Sequence, residues 1–137
     1  MNRLLLLFAA LVCSSSAYSQ ATKFEGAWNV TMVCPPHNDD DEAKGYTHRF
    51  RGEVAGGEFS ATHGQEGEPG WHFLRGQIKA SGNATLRLDG IVNNPRYAIN
   101  DAPRGKQYSY RVKAHFDETS GSGQRLTGRV CEFTFSR

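Results

Sequence analysis

The sequence predicts an all-β protein, a small antiparallel up-and-down barrel of seven to eight strands whose first and last strands are paired and joined by a disulfide. Two observations predict the strands. Helix-period apolar patterns are missing after residue 19, and clusters of Gly, Asn, Asp and Pro separate runs rich in aromatic and β-branched residues. A third observation predicts the antiparallel order, because the runs lie too close together in the sequence for helical crossovers.

Residues 1–19 are predicted to be a secretory signal peptide. One early cation, Arg3, precedes an apolar run and then small polar residues, and the run is shorter than the roughly 20 residues that a transmembrane helix needs. Ala17 and Ser19 suit the positions before a cleavage site, which leaves residues 20–137 as a single barrel domain. The expected location is therefore secreted or periplasmic, without a membrane span.

Seven runs are predicted as strands, and a short eighth strand is considered at Tyr97 to Ile99. The seven runs are Ala27 to Cys34, Tyr46 to Val54, Glu58 to Thr62, Trp71 to Ile78, Ala84 to Val92, Gln107 to Phe116 and Arg125 to Phe135. Four segments, "FRGEV", "LRGQI", "LDGIV" and "LTGRV", place a glycine on the same face as apolar residues. Glycines inside strands mark sharp bends, so the pattern favours a closed barrel over a flat sandwich.

Cys34 and Cys131 are the two cysteines left after the signal peptide, and in an oxidising compartment a disulfide between them is the default. Such a bridge closes a loop of about 100 residues, which stabilises a small domain by about 2–4 kcal/mol. Antiparallel pairing of the first and last strands with the cysteines opposite each other then fixes a register. The facing pairs on the inner side are Met32 with Phe133, Val30 with Phe135, and Trp28 with Arg137, and the last pair closes one barrel end.

The triplet "GAW" at Gly26 to Trp28, with a last-strand arginine packed on that tryptophan, resembles the pattern of lipocalins and their avidin-like relatives, the calycin barrels. The resemblance implies a closed barrel and supplies no catalytic motif. The chain is short for a lipocalin and lacks the C-terminal helix pattern. In size it is similar to avidin-type barrels, to small bacterial periplasmic inhibitors of secreted metalloproteases, and to short secreted bacterial barrels without an assigned function.

Composition and motifs argue against several classes of function. Sixteen Lys and Arg against fourteen Asp and Glu give a net charge of +2, too small a surplus to indicate binding to nucleic acid or an anionic membrane. The sequence contains no "GxSxG", "HExxH" or phosphate-loop motif. The five histidines are scattered through it: His37, His48, His63, His72 and His115. We therefore predict no enzyme, no catalytic residue, no metal ligand and no cofactor.

A binding function has aromatic candidates. In "QYSYRVKAHF", Tyr108 and Tyr110 share a face with three apolar residues. That face is either plain core or, at the start of the strand, the lining of a barrel mouth with hydroxyl groups directed at a ligand. Tyr46 and His48 occupy the matching position on the second strand. A barrel of eight strands has room for side chains or for one small ligand. The sequence thus predicts a binder of a small, partly apolar molecule.

Two loop features leave alternatives open. Trp71 is a fifth candidate for ligand contact, and it either plugs a barrel end or is an exposed anchor for a partner protein. The alternative function is therefore an interaction module, such as an inhibitor of a secreted hydrolase acting through loops or the N-terminal segment "QATKFE". The acidic segment Asp39–Glu42 is either a solvated loop beside the barrel mouth or a weak divalent-ion site. It lacks the central glycine of a calcium loop, because Lys44 occupies that position.

Overall fold

The structure is a computed structural model that describes residues 22–38 and 42–137. The signal peptide predicted at residues 1–19 and most of the acidic segment, residues 39–41, lie outside the described residues. The strands are β1 (Gly26–Cys34), β2 (Tyr46–Ala55), β3 (Glu58–His63), β4 (His72–Gln77), β5 (Asn83–Ile91), β6 (Gln107–Phe116), β7 (Ser120–Arg125) and β8 (Glu132–Ser136). Three 3-10 turns accompany them, at Thr22–Phe24, Pro95–Tyr97 and Ile99–Asp101.

The eight strands form one closed barrel in which each strand pairs antiparallel with its neighbour in the sequence and β1 pairs with β8. This confirms the predicted fold class. The predicted register is also confirmed, since Val30 faces Phe135 and Met32 faces Phe133. The disulfide joins Cys34 to Cys131, whose side chains are buried. Closure pairs every strand edge, which removes the exposed edges of an open sheet.

The seventh predicted strand, Arg125 to Phe135, is wrong as a single element. The chain divides it between the end of β7 and β8, with a connection at residues 126–131. Most of β7, "SGSGQR", was not predicted because it contains no apolar side chain. Its inner positions are Gly121 and Gly123, and the side chains of neighbouring strands fill the space above them. The strand that was expected at Tyr97 to Ile99, and that brings the number to eight, is therefore β7, with glycines at its inner positions.

The prediction of a strand at Tyr97 to Ile99 is wrong, because that segment connects two 3-10 turns. The first turn begins with Pro95, and the Asn94 side chain accepts a hydrogen bond from the Arg96 amide at 3.0 Å. Proline at the first position of a turn and a capping asparagine before it are local signals that compete with strand pairing.

Three of the four patterned glycines, Gly52, Gly76 and Gly90, lie inside strands and allow close approach of neighbouring groups. A Cβ on Gly90 would lie 2.4 Å from the Tyr108 ring. The fourth, Gly128, lies in the connection between β7 and β8, where its φ of +69° suits glycine. The pattern therefore identified the crowded inner positions of β2, β4 and β5 but not of β7.

The two ends of the barrel differ because their connections differ in length. At the end that holds Trp28, the connections are short: residues 56–57, 78–82 and 117–119. At the end that holds the disulfide they are longer: residues 35–45, 64–71, 92–106 and 126–131. We call these the closed end and the open end. Long loops carry cavities and binding groups more often than tight hairpins do.

Aromatic packing fills the closed end. Trp28 is 1% exposed, its indole N–H donates to the Phe24 carbonyl oxygen at 2.8 Å, and its ring meets the Phe116 ring edge-on. The Arg137 guanidinium lies 4.6 Å from the centroid of the Trp28 ring and donates to the carbonyl oxygens of Lys23, Phe24 and Glu118. The two residues predicted to close the barrel therefore lie in contact at this end.

Replacement of Gly52 by alanine is expected to destabilise the barrel by about 1–3 kcal/mol, the usual effect of overpacking. A Cβ at Gly52 would lie 2.7 Å from the Ala61 Cβ and 2.8 Å from the Ser60 carbonyl oxygen, so β3 must move. Urea unfolding of the variant measures the loss. Thr47→Ala on the exposed face of the same strand is the control and should change the unfolding free energy by less than about 1 kcal/mol. Equal stability of G52A and the parent protein would contradict the predicted crowding.

Candidate functional site

A cavity of about 580 Å³ opens at the disulfide end of the barrel. Its walls come from the ends of the strands and from the connection at residues 92–106. Six ring side chains form the part that reaches into the barrel: Tyr46, His48, His63, His72, Tyr108 and Tyr110. Below them lies the packed interior, which begins with Phe50 and Met32.

Four of the five residues predicted to contact a ligand line this cavity: Tyr46, His48, Tyr108 and Tyr110. Trp71 does not. Trp71 lies just before β4, and because its neighbour His72 faces inward, Trp71 faces outward. Together with Phe73 and Arg75 it borders a separate groove. Trp71 is half-buried there, so it is not a plug in the cavity. The structure thus brings the predicted tyrosines and His48 together and leaves Trp71 apart.

The tyrosines provide hydroxyl donors. The Tyr108 and Tyr110 rings stack with their centroids 6.2 Å apart, and the Tyr110 hydroxyl donates weakly to the Met32 sulfur at 3.6 Å. Burial raises the pKa of Tyr108 and of Tyr110 above the ordinary tyrosine value. Burial also raises the pKa of Tyr46, although the Arg129 charge opposes the shift. All three phenols are therefore protonated at neutral pH and can donate hydrogen bonds.

Two arginines give the cavity a positive wall. The Arg125 guanidinium lies 4.0 Å from the centroid of the Tyr110 ring, and its buried Nε has no hydrogen-bond partner. Arg129 is 3% exposed and donates to the carbonyl oxygens of Lys44 at 3.0 Å and Tyr97 at 2.8 Å. No acidic residue is found among the described residues that line the cavity. The cavity therefore favours a group with negative charge.

The sequence did not predict Arg125 and Arg129 as site residues. They were assigned to one continuous strand, Arg125 to Phe135, and not to the end of a strand and a loop at the cavity. A signal was nevertheless present in the way that side chains alternate between the two faces of the predicted strand Arg125 to Phe135. The face that holds Cys131 and Phe133 also holds Arg125 and Arg129, and charged residues on an inward face are unusual unless they are paired or functional.

Three histidines from consecutive strands meet in the wall of the cavity. His63 at the end of β3 and His72 at the start of β4 are direct partners across the two strands, and His48 lies on β2. The rings are stacked nearly parallel, with centroid distances of 4.3 Å between His48 and His63, 4.6 Å between His63 and His72, and 5.4 Å between His48 and His72. One ring nitrogen of each lies within 4.8 Å of the other two, as in a group that could hold a metal ion.

His48 and His72 have environments that favour the neutral imidazole. Burial lowers the pKa of His72 to about 3, with the neighbouring histidines adding to the effect. Burial and the His63 charge lower the pKa of His48 as well. Buried nitrogens without a hydrogen-bond partner occur on His48 at Nδ1 and on His72 at Nε2. Neutral rings with free lone pairs are the form of histidine that binds metals.

No spacing motif marks this cluster, because the three histidines are far apart in the chain. Strand parity was the available signal. His48 shares a face with Phe50, His63 with Ala61, and His72 with Leu74. His63 and His72 are the inward residues nearest the open end of their strands, and His48 follows Tyr46 on the inward face of β2. The prediction of no metal ligand did not take this juxtaposition into account.

Fold and cavity together define a small eight-stranded antiparallel β-barrel with one packed end and one open end. Comparisons with protein-family models, curated proteins and solved structures gave no significant match. The resemblance to calycin barrels therefore stays a prediction that rests on the "GAW" triplet and the Trp28–Arg137 pair. The helices in the described part of the chain are short 3-10 turns, and none has the length and apolarity of a membrane-crossing helix.

Proposed function

We propose that the protein is a secreted or periplasmic binding protein that holds a small, partly apolar, anionic molecule in its open-end cavity. The observation that carries the proposal is the composition of the cavity wall: tyrosine rings beside the Arg125 guanidinium, with no acidic residue among the described lining residues. The proposal assigns no bond-making or bond-breaking step to the protein.

The size and surface of the cavity support this proposal. A volume of about 580 Å³ falls within the range of about 300–1,000 Å³ that is usual for small-molecule sites. Ile91, Val92 and Ile99 provide apolar surface at the rim, and the tyrosine rings provide apolar faces with polar edges. A molecule with an aromatic or aliphatic body and one acidic group would match both kinds of surface.

Arg125 is the group best placed to recognise the acidic part of such a molecule. Its ring contact with Tyr110 holds the guanidinium in place, and its Nε still has no acceptor. A buried donor without an acceptor loses solvation without compensation, so a carboxylate or sulfonate oxygen at this position would restore the missing hydrogen bond.

A location outside the cytoplasm is supported by the disulfide between Cys34 and Cys131, since such bridges persist in oxidising compartments. The signal peptide predicted at residues 1–19 agrees with that location. The alternative function was an interaction module acting through loops or the N-terminal segment, and its N-terminal version gains no support from the described residues. Phe24 of that segment is fully buried at the closed end, and the Lys23 carbonyl oxygen accepts from Arg137.

Arg125→Gln is expected to weaken binding of the anionic dye 1-anilinonaphthalene-8-sulfonate about 10- to 100-fold, because it removes a hydrogen bond from a charged donor. Fluorescence titration of the folded protein measures the affinity. Arg111→Gln, on the exposed face of β6, is the matched control and should bind the dye as the parent protein does.

A second probe distinguishes the contribution of the sulfonate charge from that of the aromatic body. N-phenyl-1-naphthylamine has a similar aromatic body without the sulfonate, so its affinity should change less than about 3-fold in the Arg125 variant, as expected where no charged contact is lost. The proposed function would be contradicted if the parent protein bound neither probe, or if R125Q and R111Q weakened the anionic dye equally.

A further inference from the structure

We propose that His48, His63 and His72 form a binding site for a divalent first-row transition metal of the Zn²⁺ type, with at least one coordination position open to the cavity. The inference goes beyond the proposed function, because metal binding at the three histidines does not require the organic ligand. It assigns a cation to the part of the cavity wall that the three histidines form, next to Tyr46 and away from Arg125.

The barrel itself brings the three ligands together. His63 and His72 are cross-strand partners in the β3–β4 hairpin, and His48 comes from the adjoining strand β2. Antiparallel pairing fixes the backbone at all three positions, and strands position ligands more rigidly than loops do. The stack rests on Phe50, whose ring centroid lies 4.8 Å from that of His72. The metal would therefore lie on the cavity side of the rings.

The ring nitrogens are available in the pattern that a metal requires. His48 Nδ1 and His72 Nε2 are buried and have no hydrogen-bond partner. His63 Nδ1 lies 3.2 Å from the Gly70 carbonyl oxygen. A carbonyl oxygen only accepts, so Nδ1 is the donor in this contact and Nε2 is the nitrogen that would face a metal. A backbone carbonyl that orients the second nitrogen of a histidine is the usual outer contact of a metal-bound imidazole.

The ligand set determines the class of metal. Three imidazoles suit Zn²⁺, Cu²⁺, Ni²⁺ or Co²⁺ and do not suit Mg²⁺ or Ca²⁺, which take oxygen ligands. Three protein ligands with a free position are also the arrangement of zinc sites that remain accessible to a further ligand. An anionic group held near Arg125 could occupy that free position.

Binding should change the orientation of the rings. The nitrogens lie within 4.8 Å of one another, whereas Zn–N bonds of about 2.0–2.1 Å in a tetrahedral site place them about 3.3 Å apart. The nearly parallel rings must therefore turn and converge. The cavity beside them provides the space for that movement.

The test is calorimetric titration of ZnCl₂ into protein produced without a polyhistidine tag and freed of metal by chelator. We expect one Zn²⁺ per chain, and with Co²⁺ the visible absorption of a tetrahedral complex. His63→Phe and His48→Phe keep a flat ring in the stack but remove both nitrogens. Each should weaken binding at least about 100-fold, since even outer-shell changes cost 10- to 100-fold. Both positions are half-buried, and two variants are used so that the test can still be made if one of them fails to fold.

His115→Gln is the matched control, because His115 is exposed at the closed end and contacts Asn83 and Asp117. It should leave the zinc affinity unchanged. The inference would be overturned if the parent protein bound no stoichiometric Zn²⁺, if H63F and H48F bound it as the parent does, or if H115Q weakened binding as much as they do. Titration of the naphthalene-sulfonate dye into metal-free H63F separates the two proposals: retained dye binding with lost zinc binding supports both. Dye binding by a parent protein that binds no zinc overturns this inference alone.

Discussion

Replacing Cys34 and Cys131 together by alanine is expected to lower the free energy of unfolding by about 3 kcal/mol, because the bridge closes a loop of 97 residues and restricts the unfolded chain. For a domain of this size the melting temperature should fall by about 10–20 °C. The effect on the folded state should be largest at the open end, where the bridge fixes β1 against the segment that enters β8. Calorimetric melting of the two proteins measures the change.

A comparison with reduced parent protein separates the two contributions to this effect. Reduction removes the cross-link but keeps both sulfur atoms, whereas the alanines also remove the buried sulfurs. Both cysteines are almost fully buried, so the bridge should resist reductant in the folded protein and react rapidly in denaturant. A melting temperature of C34A/C131A within about 2 °C of the parent value would contradict a stabilising role of this size.

Trp28→Ala is expected to destabilise the barrel by about 3–5 kcal/mol, the range for removal of a large buried aromatic side chain. The variant loses the edge-on contact with Phe116, the hydrogen bond to Phe24 and the surface under Arg137. Trp28→Phe keeps part of the packing and should lose about 1–2 kcal/mol through the missing hydrogen bond and ring area. Urea unfolding monitored by circular dichroism gives both values.

Phe73→Ala serves as the control, since Phe73 is a half-exposed aromatic residue on the opposite face of β4, with the Arg75 guanidinium over its ring. It should change the unfolding free energy by less than about 1 kcal/mol. Equal losses in W28A and F73A would show that the closed end is not the packed base of the barrel. W28F should still bind the dye at the open end, because Trp28 is not among the residues that line the cavity.

Alternation of apolar residues and the two cysteines were sufficient to predict most of the fold. The pairs Val30–Phe135 and Met32–Phe133 follow from opposing the cysteines, since one fixed pair determines the register of two whole strands. Strand β7 could not be predicted in the same way. Its packed inner positions are Gly121 and Gly123, and a strand that has no inward apolar side chain gives no hydrophobic period.

The candidate site was predictable only in part, for a related reason. Tyr46, His48, Tyr108 and Tyr110 stood out because they begin strands whose inner faces are apolar. Arg125 lines the cavity because it is the last residue of β7, at the open end of the barrel. The sequence did not indicate that a strand ends there. The histidine cluster depends on the pairing of β2, β3 and β4, and distances between chain-distant residues follow from topology rather than from spacing.

The most direct test of the central claim, that the open end of the barrel is the binding site, is an NMR titration of the isotope-labelled protein with 1-anilinonaphthalene-8-sulfonate. Our account predicts amide shifts at the open ends of β2, β4 and β6, at residues 92–106 and around Arg125. The closed end near Trp28 should remain unchanged. Shifts confined to the groove of Trp71, Phe73 and Arg75, or no shifts at any dye concentration, would contradict it.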